Sequence, residues 1–217
     1  MKRAFLFCCV MSCMMMLSCV KNTKQLEDIQ SGDIIFVSLP MNYSLIDSVV
    51  VNDTSSEKNF IHVAVADVDE NGKLWVIDAT LKHGVDRHPV DTFFNDFTLR
   101  NGELPNMEVW RLKDCSDMDI YMENIKQYIG EEYDMNFVMD NGKHYCSELI
   151  YDAYVKDGEH VFELGEVDMR NSKGTVPIYW IQLFDKISMP LPQGKVGIMP
   201  QQMYDGGNLR KVNVTFP

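Results

Sequence analysis

Cys146 stands in Lys143-His144-Tyr145-Cys146-Ser147-Glu148-Leu149, directly after a glycine-containing loop, Asp140-Asn141-Gly142, and at the start of a helical pattern. Backbone N–H groups in the first turn of a helix have no intrahelical partner and carry partial positive charge. That field favours thiolate over thiol, which turns a cysteine into a nucleophile near neutral pH. The same N–H groups can receive a developing oxyanion. A small buried cysteine packing the helix start is the plainer reading of this motif alone. His62 shifts the balance. It interrupts an otherwise apolar stretch, Phe60-Ile61-His62-Val63-Ala64-Val65-Ala66. Side chains alternate along a strand, so His62 shares a face with Ala64 and Ala66, whose small side chains leave room beside the imidazole. Asp78, in Leu74-Trp75-Val76-Ile77-Asp78-Ala79, is a third candidate, because a carboxylate in a buried strand is costly unless paired.

Whether Asp78 meets His62 depends on the turn between their strands. A two-residue Asn71-Gly72 hairpin places Asp78 opposite Val65 and on the wrong face. Asp69-Glu70-Asn71-Gly72 also suits a type I turn closed by a left-handed glycine, which makes a three-residue loop. That register places Asp78 opposite Ala64 and diagonal to His62. Diagonal neighbours lie roughly 7–8 Å apart, within reach of these side chains. The second register pairs the carboxylate and orients the imidazole at once, and it is the one expected. Imidazole held by carboxylate and facing a thiol is the arrangement of nucleophilic acyl transfer.

The elements that must carry these residues follow from periodicity. Strands are expected at Ile34 to Val37 (opened by Gly32-Asp33), Phe60 to Val68, Lys73 to Thr80, Val85 to Val90 and Met107 to Leu112. A short helix capped by Asp91 is expected over Asp91 to Phe97. Ser116 to Ile129 is amphipathic, with Met118, Tyr121, Ile125 and Tyr128 on one side and Gly130 at its end. A second long helix runs from near Tyr145 to Lys156. Leu39 to Lys58 reads as loop, and the tail is punctuated by Gly and Pro around three apolar stretches. The class is α+β in a single domain, with no repeats.

The first eighteen residues read as an address. Lys2 and Arg3 precede an apolar run, Ala4 to Ser18, that is shorter than the roughly 20 residues needed to span a bilayer. Met16-Leu17-Ser18-Cys19 is a loose lipoprotein box with Met where Leu is usual, so lipidation is expected at Cys19. Residues 1–18 are thus assigned as signal peptide, 19–30 as lipidated cysteine and polar tether, and 31–217 as the folded domain. The chain carries a net charge of −12, and removing Lys2 and Arg3 makes it more acidic. Such a surface repels phosphates and argues against nucleic acid. Cys8, Cys9, Cys13 and Cys19 belong to the signal region, leaving Cys115 and Cys146 in the domain. In an oxidising compartment a Cys115–Cys146 disulfide is the alternative to a free nucleophile. His83, His88, His144 and His160 show no metal-ligand spacing with the cysteines, and neither metal nor cofactor is expected. His144 is read as a loop residue, Cys115 as a bystander, Asp67, Asp69 and Glu70 as a solvated turn, and Glu148 as supporting the helix start by its charge.

Gly32-Asp33-Ile34-Ile35-Phe36, then His62 in a strand, an acid in the next strand, and Tyr145-Cys146-Ser147-Glu148-Leu149 much later resemble the circularly permuted papain-like enzymes of the YiiX-like group. These belong to the NlpC-type superfamily of bacterial cell-wall cysteine peptidases. Tyr133-Asp134-Met135-Asn136-Phe137, and Met199-Pro200 followed by Leu209, fit the same group, and His62 precedes Cys146 as permutation requires. The resemblance implies a permuted papain-like fold with helices packed on a curved antiparallel sheet. It implies Cys146 as nucleophile, His62 as base and Asp78 as the orienting residue, a position often occupied by Glu in that group. It also makes Tyr145 a candidate for oxyanion or substrate contact, with a core position as the alternative. The expected activity is a cysteine peptidase or amidase acting on peptidoglycan-derived peptides or small amides, from a monomer anchored by lipid in the cell envelope. Lipid acyl hydrolysis or transfer is the alternative within the superfamily. A non-catalytic binding lipoprotein is the alternative outside it.

Overall fold

The computed structural model describes residues 26–46 and 58–216. The signal peptide, Cys19 and Val49 to Val51 lie outside them. Five strands and a helix come first: β1 (Ile34–Ser38), β2 (Phe60–Val68), β3 (Leu74–Thr80), β4 (Gly84–Pro89), α1 (Val90–Phe97) and β5 (Asn106–Leu112). Then follow α2 (Met118–Gln127), α3 (Cys146–Ala153), three two-residue strands β6 (Val155–Lys156), β7 (Glu159–His160) and β8 (Gly165–Glu166), and α4 (Ile178–Lys186). β9 (Val196–Gly197), α5 (Pro200–Asp205) and β10 (Leu209–Val212) close the chain. Six strands form one antiparallel sheet in the order β10-β5-β1-β2-β3-β4.

Both faces of this sheet are covered, which explains why β1 and β2 read as nearly unbroken apolar runs. Ile34, Phe36, Val63, Val65, Ile77 and Ala79 face a core built with α2, α3 and α5 through Ile125, Leu149, Ile150 and Met203. The alternate residues Ile35, Val37, Ala64, Ala66 and Val76 face a second core, closed by Phe93 of α1 and by Trp180 and Phe184 of α4. The fold is the expected mixture of helices on an antiparallel sheet.

Several local expectations are corrected. The cap of α1 is Pro89, with Asp91 inside the first turn, because the proline at the end of β4 fixes an extended φ just ahead of the helix. The helix from Cys146 stops at Ala153, since Val155 and Lys156 turn back into a hairpin with Glu159 and His160. The folded domain also begins before Ser31: Ile29 is buried in the second core and Leu26 packs on it. The Asp28 carbonyl accepts a hydrogen bond from Arg111 Nη2.

Candidate active site

The β2–β3 turn decides the site. Gly72 adopts φ 76°, its N–H donates to the Asp69 carbonyl, and the Asp69 N–H donates to the Lys73 carbonyl. This is the three-residue loop, and it sets Val65 opposite Ile77 and Ala66 opposite Val76. Continuing that register one step puts Asp78 across from Ala64, diagonal to His62. On its other side, β2 pairs with β1 through Val37↔His62 and then Ser38↔Phe60, so Ile61 is an extra residue and a bulge adjoins His62. Bulges recur beside active sites because they re-aim a side chain.

His62 Nε2–H donates to Asp78 Oδ2 at 2.7 Å. With that nitrogen occupied, Nδ1 is the ring nitrogen left to serve Cys146, which lies close enough for its charge to act on the imidazole. All three side chains are buried. Burial by itself would lower the His62 pKa, but the Cys146 charge and the hydrogen bonds to Asp78 and Cys146 outweigh it and raise the value to about 10. The imidazole is therefore held as imidazolium at neutral pH whenever Cys146 is thiolate. Phe97 and Phe93 of α1 flank the ring at centroid distances of 4.7 and 6.3 Å and close it from solvent. Thiol, imidazole and carboxylate in this order are the components of covalent acyl transfer.

The start of α3 is anchored from three sides. Ser147 Oγ donates to the Ile198 carbonyl at 2.7 Å, and the Ile198 N–H donates to the Tyr145 hydroxyl at 3.0 Å. The Tyr145 hydroxyl in turn points at Met139 Sδ, and its ring stacks on Phe137 at 4.5 Å. Tyr145 is fully buried, and its phenol is engaged by the Ile198 N–H and Met139, as in its core alternative. Gly197 lets this happen: a Cβ there would sit 2.6 Å from the Tyr145 hydroxyl oxygen.

Glu148 accepts a hydrogen bond from the Tyr145 N–H at 3.3 Å, but not as the charged cap expected. Burial raises its pKa to about 8, against the lowering effects of the Tyr145 N–H and His144. The carboxyl is mainly protonated at pH 7. The folded-state pKa lies above the unfolded one, so the unfolded chain releases this proton first and wild type loses stability as pH rises from about 4.5 to about 8. Glu148→Gln keeps the acceptor without titrating. Its stability relative to wild type should therefore rise across that window, by on the order of 2 kcal/mol after allowing for solvent screening. Urea melts of both proteins at pH 5 and pH 8 check this, and a pH-independent difference rejects it.

Other residues depart from their sequence reading. His144 is buried, with Nδ1 2.7 Å from Glu131 Oε2 and Nε2 3.1 Å from Asp152 Oδ2. It is a clamp between two acids, because the fold brings both carboxylates to one ring. Asp67 is buried and pairs with Arg87 and Lys126, so only Asp69 and Glu70 belong to the turn. Asp33 is also structural, taking Arg111 Nε on Oδ1 at 2.6 Å and Nη2 on Oδ2 at 2.7 Å. Cys115 and Cys146 are both free thiols, the first exposed. Among the described residues no group of three His, Cys, Asp or Glu converges as a metal would require. Tyr133 and Tyr179 lie close enough to Cys146 for its charge to raise their pKa values, after burial. The sequence had marked Tyr133 only as part of a resemblance, and nothing in the apolar tail singled out Tyr179.

A cavity of about 360 Å³ lies beside these elements, lined by Phe60, Trp180, Met169 and Met199, with Lys58 and Arg170 among its charged groups. Phe60 is two residues from His62 on β2, and Met199 follows Ile198, the residue that holds Ser147.

Residues 28–213 match the family described as permuted papain-like amidase, YaeF/YiiX, C92. No curated protein matches the sequence. A crystal structure described as metalloprotein yiiX from Escherichia coli O157:H7 is similar, with a TM-score of 0.60 and 20% identity over 88% of this chain and 99% of that one. At that identity the likeness is one of fold.

Proposed function

The chain belongs to the permuted papain-like amidase family and is a cysteine hydrolase, and from that premise we propose that Cys146, His62 and Asp78 carry the reaction. The observation that supports this is the buried His62–Asp78 hydrogen bond, with the buried Cys146 close enough for its charge to act on the same imidazole. His62 takes the thiol proton, and the Cys146 sulfur attacks the carbonyl carbon of an amide. First-turn N–H groups of α3 hold the oxyanion, the Tyr145 N–H being already taken by Glu148. The His62 imidazolium then protonates the departing amine, leaving a thioester. His62 next removes a proton from water, which attacks the thioester carbonyl, and the thiol regains its proton as the acid departs. Asp78 keeps the imidazole oriented through both halves.

The substrates we favour are amide bonds of peptidoglycan stem peptides. The export signal ending at Cys19 supports an envelope location. An acyl chain is the second reading, because a cysteine thioester serves lipid esters as well as amides. Mature protein given purified stem peptides and, separately, a short-chain phospholipid should release new amino groups from the peptides alone. Fatty acid release without amine release would move the assignment to lipid acyl chemistry.

A further inference from the structure

His88 has a place in this site that its sequence context did not suggest. Strand register puts it opposite Val76, and Asp86 opposite Asp78, so His62, Asp78, Asp86 and His88 share one face of the sheet. That face is covered by α1, whose Phe93 stacks over the His88 ring at 6.4 Å. The side chain of His88 is 6% exposed and that of Asp78 is 0% exposed. Asp78 Oδ2 is occupied by His62, while Oδ1 is buried without a hydrogen-bond partner, as are both nitrogens of His88. The two unsatisfied groups face each other, His88 Nε2 lying 3.8 Å from Asp78 Oδ1.

A buried donor and a buried acceptor without partners each carry an uncompensated desolvation cost. Closing the gap by about 0.7 Å produces a hydrogen bond of ordinary length and removes both costs. Other polar groups near His88 do not offer Asp78 a donor. Asp86 Oδ2 lies 3.7 Å from His88 Nδ1 and is an acceptor. His83, with its ring centroid 5.7 Å from that of His88, is committed to Asp96, which also takes Lys82.

We propose that His88 is a positioning residue for the hydrolase: its Nε2–H donates to Asp78 Oδ1, completing a His62–Asp78–His88 line that keeps the carboxylate turned toward His62. This rests on the assignment of Cys146, His62 and Asp78 given above. Removing that donor frees the carboxylate to rotate away from the imidazole, which weakens the hold of His62 on the Cys146 thiolate.

The test compares wild type, His88→Leu and His88→Gln by the rate of Cys146 alkylation with iodoacetamide across pH 4–9, alongside thermal melts. Glutamine supplies an amide donor at a similar reach, whereas leucine fills space without one. His88→Leu should move the acid limb of reactivity up by about one pH unit and lower the neutral rate about tenfold, and His88→Gln should restore most of both. Superimposable profiles in all three proteins, or equal shifts for Leu and Gln, overturn the role of His88. An unreactive Cys146 in wild type instead overturns the catalytic assignment on which it rests. If the variants do not fold, imidazole nitrogen chemical shifts of wild-type His88 decide the matter. A proton on Nε2 is expected, and a neutral ring protonated only on Nδ1 rejects the proposal.

Discussion

Cys146→Ala is expected to lower amide hydrolysis by about 10⁴-fold or more, the scale on which removal of a nucleophile acts when other groups work through it. The loss should appear in kcat. His62 is spaced and oriented for the sulfur, and without that sulfur it has only water to activate. The fold should survive, because exchanging a buried thiol for a methyl group at the start of α3 costs only about 1 kcal/mol. The helix start remains held by Ser147 on the Ile198 carbonyl and by Glu148 on the Tyr145 N–H. Steady-state kinetics with a thermal melt of the same preparation measure both quantities. Residual activity within tenfold of wild type in a folded Cys146→Ala protein would place the nucleophile elsewhere.

His62→Ala carries the second large effect, and pH makes it specific. With the thiolate beside it and Asp78 behind it, His62 holds its proton up to about pH 10. The imidazolium is the acid that the leaving amine needs, so kcat/KM should decline as pH rises through about 10. The sign follows from the raised value: the protonated form dominates below it and is lost above it. His62→Ala should abolish that basic limb, lower kcat/KM by about 10³-fold or more, and slow alkylation of Cys146 at pH 7 by at least about tenfold. Equal alkylation rates in wild type and His62→Ala would show that the imidazole does not act on the sulfur.

Much of this site was legible in the sequence because it depends on local chemistry and short-range register. A histidine inside the apolar Phe60–Val68 strand, an acid in the following strand and a thiol at a loop-to-helix junction each break a pattern set by burial. Asp69-Glu70-Asn71-Gly72 admits few turn geometries. Choosing the glycine-closed one placed Asp78 diagonal to His62, 2.7 Å apart through their side chains. The strands of the large sheet were readable for a related reason: with both faces buried, their residue types are dictated almost continuously.

What the tertiary structure alone decided involves partners distant in sequence. Tyr145 sits beside Cys146, yet only the approach of Gly197 and Ile198 assigns its hydroxyl to the core. Glu148 looks like a charged helix cap, but its burial makes it mainly a neutral one. His144 reads as a loop residue until Glu131 and Asp152 converge on its two nitrogens. His88 reads as nothing in particular until β4 pairs with β3 and brings it to the unsatisfied oxygen of Asp78. Composition and periodicity report whether a side chain is buried, and they report its near neighbours. Protonation state and hydrogen-bond partner are set by groups that the chain brings together only when the sheet and its two cores close.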